Sequence, residues 1–137
     1  MQNQRSELSP KNKYWIPKFR YLELKNFCLQ YPEWKSELAS LDPLKANLPK
    51  ISSGNFSDPT NTLVARRLEL NKKISLIENC ADLSEPSISS WLIKGVTENY
   101  TYEYLKYKLD LPAGRDYYYD RYRKFFFILD KKREKPL

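Results

Sequence analysis

Apolar residues in this chain recur at helical spacing, three or four apart, with few of the alternating runs that mark strands. Pro17 suits the first turn of a helix that runs to about Gln30. Phe19, Tyr21, Leu22, Leu24, Phe27, Cys28 and Tyr31 nearly encircle it, which predicts burial on more than one side. Pro32 opens a second short helix, Glu33 to Leu41, with Trp34 and Leu38 on one face and Asp42-Pro43 at its end. Residues 43–58 carry two prolines, a Ser-Ser-Gly and no period, so they read as a linker or long loop. Asp58-Pro59 is a helix start, and that helix should reach about Cys80. Its Leu63, Leu70, Ile74, Ile77 and Ala81 repeat near heptad spacing, with Val64 and Leu68 beside them. Such a stripe serves either as a core face or as the seam of a homodimer. Ser84 then caps a helix from about Glu85 to Glu98, with Ile88, Trp91, Leu92 and Val96 inward.

The stretch from Tyr100 to Arg133 carries the most information. The Thr101 hydroxyl can cap a short helix that ends near Leu109. Asp110 to Gly114 form a turn, in which Pro112 stops the first helix and Gly114 takes the positive φ of a tight reversal. A longer basic-aromatic helix follows, from Arg115 to about Lys132. Two helices joined in this way are the usual device for placing a helix in the DNA major groove. The helix at 85–98 would pack across the pair and close a trihelical core. The expected fold is therefore all-α: a disordered stretch at 1–12, an N-terminal helical region and linker at 13–58, a long helix plus helix-turn-helix at 59–133, and a tail at 134–137.

At 100° per residue the last helix has two faces. Tyr118, Tyr119, Tyr122, Phe125, Phe126 and Leu129 share the core side. Asp116, Tyr117, Asp120, Arg121 and Lys124 share the other, with Arg115 and Arg123 near the boundaries. The expected DNA contacts are Arg115, Tyr117, Asp120, Arg121, Arg123 and Lys124. Arg121 has the planar fork that bonds a guanine edge. Lys124 and Arg123 suit phosphates, and Arg115 joins the free N–H groups of the first turn in holding one. Tyr117 can meet a phosphate or a thymine methyl. Asp120 accepts from cytosine or, on a solvated face, pairs with Lys124. Phe127 and Ile128 fall on the polar side and need a cover, either the N-terminal helices or a second subunit. Upstream, Lys11 to Arg20 interleaves bases with aromatics. That pattern either grips a single strand or anchors Trp15 and Phe19 in the core, and the core reading is preferred.

Composition narrows the functional classes. The net charge of +7 is uneven: ten Lys and Arg face six acids in 101–137, nine face five in 1–50, and five face six in 51–100. A basic excess at both ends favours a polyanionic partner. The chain has no histidine, no glycine-rich phosphate loop and no C-x-x-C, so a catalytic role, a cofactor and a metal site are not expected. Asp116 and Asp120, one carboxylate pair on one helix, are weak grounds for a nuclease metal. Cys28 and Cys80 read as buried free thiols of a reducing cytoplasm. No apolar run approaches the ~20 residues of a membrane span, and residues 1–7 lack the apolar core of a signal peptide.

Leu109-Asp-Leu-Pro-Ala-Gly-Arg-Asp, with Tyr118 and Arg121 to Phe125, resembles the ArpU/RinA-like late transcription regulators of phages and prophages of Gram-positive bacteria. Tyr14-Trp-Ile-Pro-Lys-Phe-Arg-Tyr-Leu-Glu-Leu-Lys, Phe27-Cys-Leu-Gln-Tyr-Pro-Glu-Trp-Lys and Asp58-Pro-Thr are similar to phage proteins of that type, so the likeness spans roughly 14–133. The C-terminal layout is also similar to the promoter-reading domain of sigma factors, where a short helix leads through Leu-x-Leu/Ile-Pro-x-Gly into a basic reading helix. The chain departs from that pattern at Asp116 and Asp120, where apolar core is expected, so base contacts do not carry over position by position. The resemblance implies a DNA-binding regulator of late packaging and structural genes in the host cytoplasm, with duplex DNA as its partner. Two other readings stand beside it: a small terminase subunit, and a non-catalytic module that binds a host protein such as RNA polymerase.

Overall fold

The computed structural model describes residues 10–41 and 59–134. The expectations for residues 1–9, for the linker at 43–58 and for the end of the tail at 135–137 lie outside these residues. Among the described residues six α-helices and one 3-10 turn follow in order: α1 (Lys18–Leu29), α2 (Tyr31–Ser40), α3 (Pro59–Ser84), the 3-10 turn Pro86–Ile88, α4 (Ser89–Glu98), α5 (Tyr102–Lys108) and α6 (Arg115–Glu134). Among the described residues there is no strand, and the protein is all-α. No helix of the described residues is long and apolar enough to cross a membrane.

Local chemistry accounts for most of the boundaries. Pro17 sits immediately before α1, and Pro32 occupies the first turn of α2. Thr101 caps α5 as expected, its hydroxyl accepting from Tyr104 N–H at 3.1 Å. Ser84 does not cap. It ends α3, four residues beyond the expected stop, because Ala81 and Ser84 continue the buried stripe. Its hydroxyl donates instead to the Arg121 carbonyl on α6 at 2.6 Å. The capping duty passes to Glu85, whose carboxylate accepts from Ser87 N–H and Ser87 Oγ. The reversal after α5 also uses a different residue from the one expected. Asp110 holds the left-handed conformation, φ 58°, while Gly114 lies outside that region. A short polar side chain tolerates this conformation, and Leu111 N–H then reaches the Leu105 carbonyl at 2.9 Å.

One apolar core joins all six helices. The stripe of α3 from Leu70 through Ile74 and Ile77 to Ala81 faces it. Tyr21, Leu24, Phe27 and Cys28 enter from α1, Leu92 and Val96 from α4, and Tyr102 and Leu105 from α5. α6 supplies Tyr118, Phe125, Phe126 and Leu129, the side expected from its spacing. It lies chiefly along α3, with α1 and α4 beside it. The last three helices therefore do not close a separate trihelical core. Two short helices, α4 and α5, offer too little apolar area to cover a 20-residue aromatic helix, and α3 completes the cover. Cys28 and Cys80 are free and buried. Burial pushes the Cys80 thiol up to about 12 and holds Cys28 well above its ordinary value.

Trp15 and Phe19 are not the core anchors expected of them. Trp15 is 38% exposed and Phe19 is 78% exposed, whereas the neighbouring Ile16 is buried. The buried side of α1 is fixed by Tyr21, Leu24, Phe27 and Cys28, and a residue two before Tyr21 points the opposite way on a helix. Phe127 does receive a cover from the N-terminal segment: the ring of Tyr14 lies 5.6 Å from it.

Gly95 sets the approach of α6 to α4. A methyl group at this buried position would overlap the hydroxyl oxygen of Tyr118, which is itself buried without a hydrogen-bond partner among the described residues. Gly95→Ala is expected to destabilise the fold by about 1–3 kcal/mol in denaturant titration. Tyr118→Phe removes the stranded hydroxyl and should be neutral or stabilising by about 1 kcal/mol. In the double variant the Gly95→Ala cost should shrink, because the overlapping atom is gone.

Candidate nucleic-acid interface

The α5–α6 connection is held from three sides. Trp91 Nε1 donates to the Leu109 carbonyl at 2.8 Å, and Tyr102 Oη donates to the Ala113 carbonyl at 2.9 Å. Leu111 is buried between these points. The entry to α6 is thereby fixed, and its first turn (Arg115, Asp116, Tyr117) is exposed. A helix start leaves backbone N–H groups without intrahelical partners, which is the local requirement for an anion contact.

The side chains at this end are less free than the sequence suggests. Arg115 pairs with Glu103 of α5 and lies over the rings of Tyr102 and Tyr119, at 5.7 and 5.4 Å. Tyr117 Oη donates to Glu85 at 2.7 Å. That hydroxyl, with the Ser87 bonds, holds the Glu85 carboxyl below the usual carboxylate range. The Tyr117 hydroxyl is raised by the same contact.

Arg121 is not available as the reading residue. Its side chain is 17% exposed, pairs with Asp120, reaches the Ser84 carbonyl at 3.4 Å and lies over the Tyr117 ring at 5.5 Å. The carboxyl end of α3 walls it in. Asp120 is paired with Arg121 and not with Lys124, so the i,i+4 pair does not form. Arg123 and Lys124 are half-buried. Between Tyr118 and Asp130 no residue of α6 is fully exposed, because α3, α1, α4 and Tyr14 flank the helix. The structure thus brings Tyr117, Asp120 and Arg121 together, sets Arg115 against α5, and leaves Lys124 apart from them.

The distal half of α6 carries basic residues beyond the expected contacts. Lys131, Lys132 and Arg133 are exposed and helical. Asp130 is neutralised by Arg20 at 2.5 Å, and that partner raises the guanidinium pKa. Lys124, Lys131 and Lys132 have no carboxylate partner among the described residues. Phe127, Ile128, Lys131 and Lys132 line a shallow groove of about 570 Å³. Lys131 lies over the Phe127 ring at 4.9 Å, and Lys13 over the Tyr14 ring at 5.2 Å, so the two basic ends of the chain meet here. The Lys-Lys-Arg run was visible in the sequence; the contact of Phe127 beneath Lys131 with Tyr14 beneath Lys13 was not.

No family model matches this chain, and no curated protein or solved structure matches it.

The Tyr117–Glu85 bond has a measurable acid signature. A carboxyl with a depressed folded pKa adds stability above its unfolded pKa and loses it as pH falls through the folded value. Tyr117→Phe should move the Glu85 carboxyl up toward the usual range, read by NMR titration. The part of the stability that is lost on acidification should then shrink, because less of the folded-state depression remains. An unshifted Glu85 would show that the hydroxyl is not its main partner.

Proposed function

We propose that the protein binds duplex DNA along the outward strip of α6 and acts as a regulator of transcription. One observation carries this reading. Two of the three aspartates of α6 are neutralised within the protein, Asp120 by Arg121 and Asp130 by Arg20, and the third, Asp116, stands in the first turn, while Lys124, Lys131 and Lys132 on the same helix have no carboxylate partner among the described residues. Internal pairing of this kind reduces phosphate repulsion along the helix and leaves the cations to act. A buttressed turn and an exposed first helical turn are the features by which helix-turn-helix proteins set a helix against DNA. The N–H groups at Arg115 to Tyr117 would orient a phosphate at one end of the strip, and the lysines would grip the backbone at the other. In this scheme Arg121 is a positioning residue, tying α6 to the end of α3. The likeness of Leu109 to Asp116 to ArpU/RinA-like proteins supports late phage genes as the target.

Binding of a labelled duplex should weaken steeply with salt, by close to one logarithmic unit per logarithmic unit of salt for each phosphate neutralised. Lys124→Ala and Lys131→Ala should each reduce that slope by about one. Arg121→Ala should lower thermal stability and leave the slope in place. A double variant of the two lysines with the wild-type slope would reject this strip as the contact surface.

A further inference from the structure

Trp15 and Phe19 are exposed, so a core role does not account for the bases and aromatics interleaved between Lys11 and Arg20. Ahead of α1 this stretch is folded into a turn. The Asn12 side chain accepts from Tyr14 N–H at 2.8 Å, and the Asn12 carbonyl accepts from Trp15 N–H at 3.0 Å. The buried Ile16 anchors it. Tyr14 is thereby set against α6, its ring 5.6 Å from that of Phe127. Phe127 in turn lines the groove of about 570 Å³ with Ile128, Lys131 and Lys132.

The groove and its border share one chemical character. The floor is apolar and aromatic, and every polar residue that lines it is a lysine. Lys131 lies over the Phe127 ring at 4.9 Å and Lys13 over the Tyr14 ring at 5.2 Å, and both lysines are exposed. Neither has a carboxylate partner among the described residues. Asp130, next to Lys131 in the chain, is held by Arg20. A cation over an exposed ring is a weaker contact than a base stacked on that ring. A base can therefore displace the ammonium groups from the ring faces, and its own phosphates then receive them.

We infer that this groove takes an unpaired nucleotide, its base stacked on Phe127 beside Tyr14 and its flanking phosphates on Lys13, Lys131 and Lys132. The inference rests on the reading of α6 as a nucleic-acid contact and narrows it: the strip holds DNA whose strands have parted beside a paired segment. A nucleotide unit is flat and apolar on its faces and anionic at its edge, the complement of an aromatic floor with a lysine rim. Base pairs stacked inside a duplex offer no free base face, so a fully paired duplex leaves the floor unused. A second copy laid about a two-fold axis on this groove would set Lys131 and Lys132 against their own counterparts.

The full chain is titrated, by fluorescence anisotropy, with three labelled probes of equal length. They are a paired duplex, the same duplex with a central bubble of unpaired thymines, and that bubble with abasic sites in place of the thymines. The base-bearing bubble should bind about tenfold more tightly than the other two, the gain expected of one stacked base. Phe127→Leu keeps an apolar side chain and removes the ring. It should abolish this preference while leaving duplex affinity and the thermal transition in place. Lys13→Ala should reduce the salt slope of bubble binding by about one. The inference is overturned if bubble and duplex bind alike, if base-bearing and abasic bubbles bind alike, or if the preference survives Phe127→Leu. An acidic, phenylalanine-bearing peptide that displaces the bubble at equal concentration also overturns it, in favour of a protein ligand. Each of these outcomes leaves the duplex contact intact. A bubble that binds where the paired duplex does not sinks the duplex reading and spares this one, and binding of none of the probes sinks both.

Discussion

The packing of α6 against α3 is the constraint on which the rest of the molecule depends. Phe125, Phe126 and Leu129 of α6 and Leu70, Ile77 and Cys80 of α3 are fully buried. The aromatic rings then interlock with the other helices: Tyr21 of α1 meets Phe126 edge-on at 5.1 Å, and its hydroxyl bonds that of Tyr122 at 3.0 Å. Edge-to-face pairs favour one orientation of each ring, so this core specifies geometry as well as supplying buried area. Burial drives the Tyr118 and Tyr122 hydroxyls far above their ordinary range, which keeps both neutral inside the fold.

That packing decides which charges meet solvent. Arg121 is drawn against the end of α3 by Ser84, and its guanidinium is occupied by Asp120 and the Ser84 carbonyl. Arg20 of α1 takes Asp130 in the same way. These pairs are partly exposed, so their worth to stability is modest. Their larger effect is on the surface potential: they cancel Asp120 and Asp130 and leave Lys124, Lys131 and Lys132 unopposed by these acids. The proposed contact with DNA is a consequence of where the core places α3 and α1 around α6.

The same placement separates two surfaces of different character. The strip on α6 is cationic and flanked by the N-terminal segment through Tyr14 and Phe127. Phe19 and Leu22 on the outward side of α1 are apolar and exposed. The electrostatic part of the proposed DNA contact would weaken in salt.

The pattern of apolar spacing was enough to give the all-α class, the order of the helices and the core side of α6, because helical periodicity is a local property of the chain. The Thr101 cap and the prolines at 17, 32 and 59 were legible for the same reason: each acts within a few residues of itself. Ser84 was not, since a serine before a helix and a serine facing a distant carbonyl look alike in sequence. Arg121 shows the same limit. Its position on the outward side of an isolated helix is correct, and its loss to Asp120 and Ser84 follows only from bringing α3 alongside. Trp15 and Phe19 are large and apolar and so read as core, yet α1 had four better-placed residues for its single buried side. Which cations stay unpaired depends on contacts between residues such as Arg20 and Asp130, far apart in the chain, and only the tertiary structure decides that.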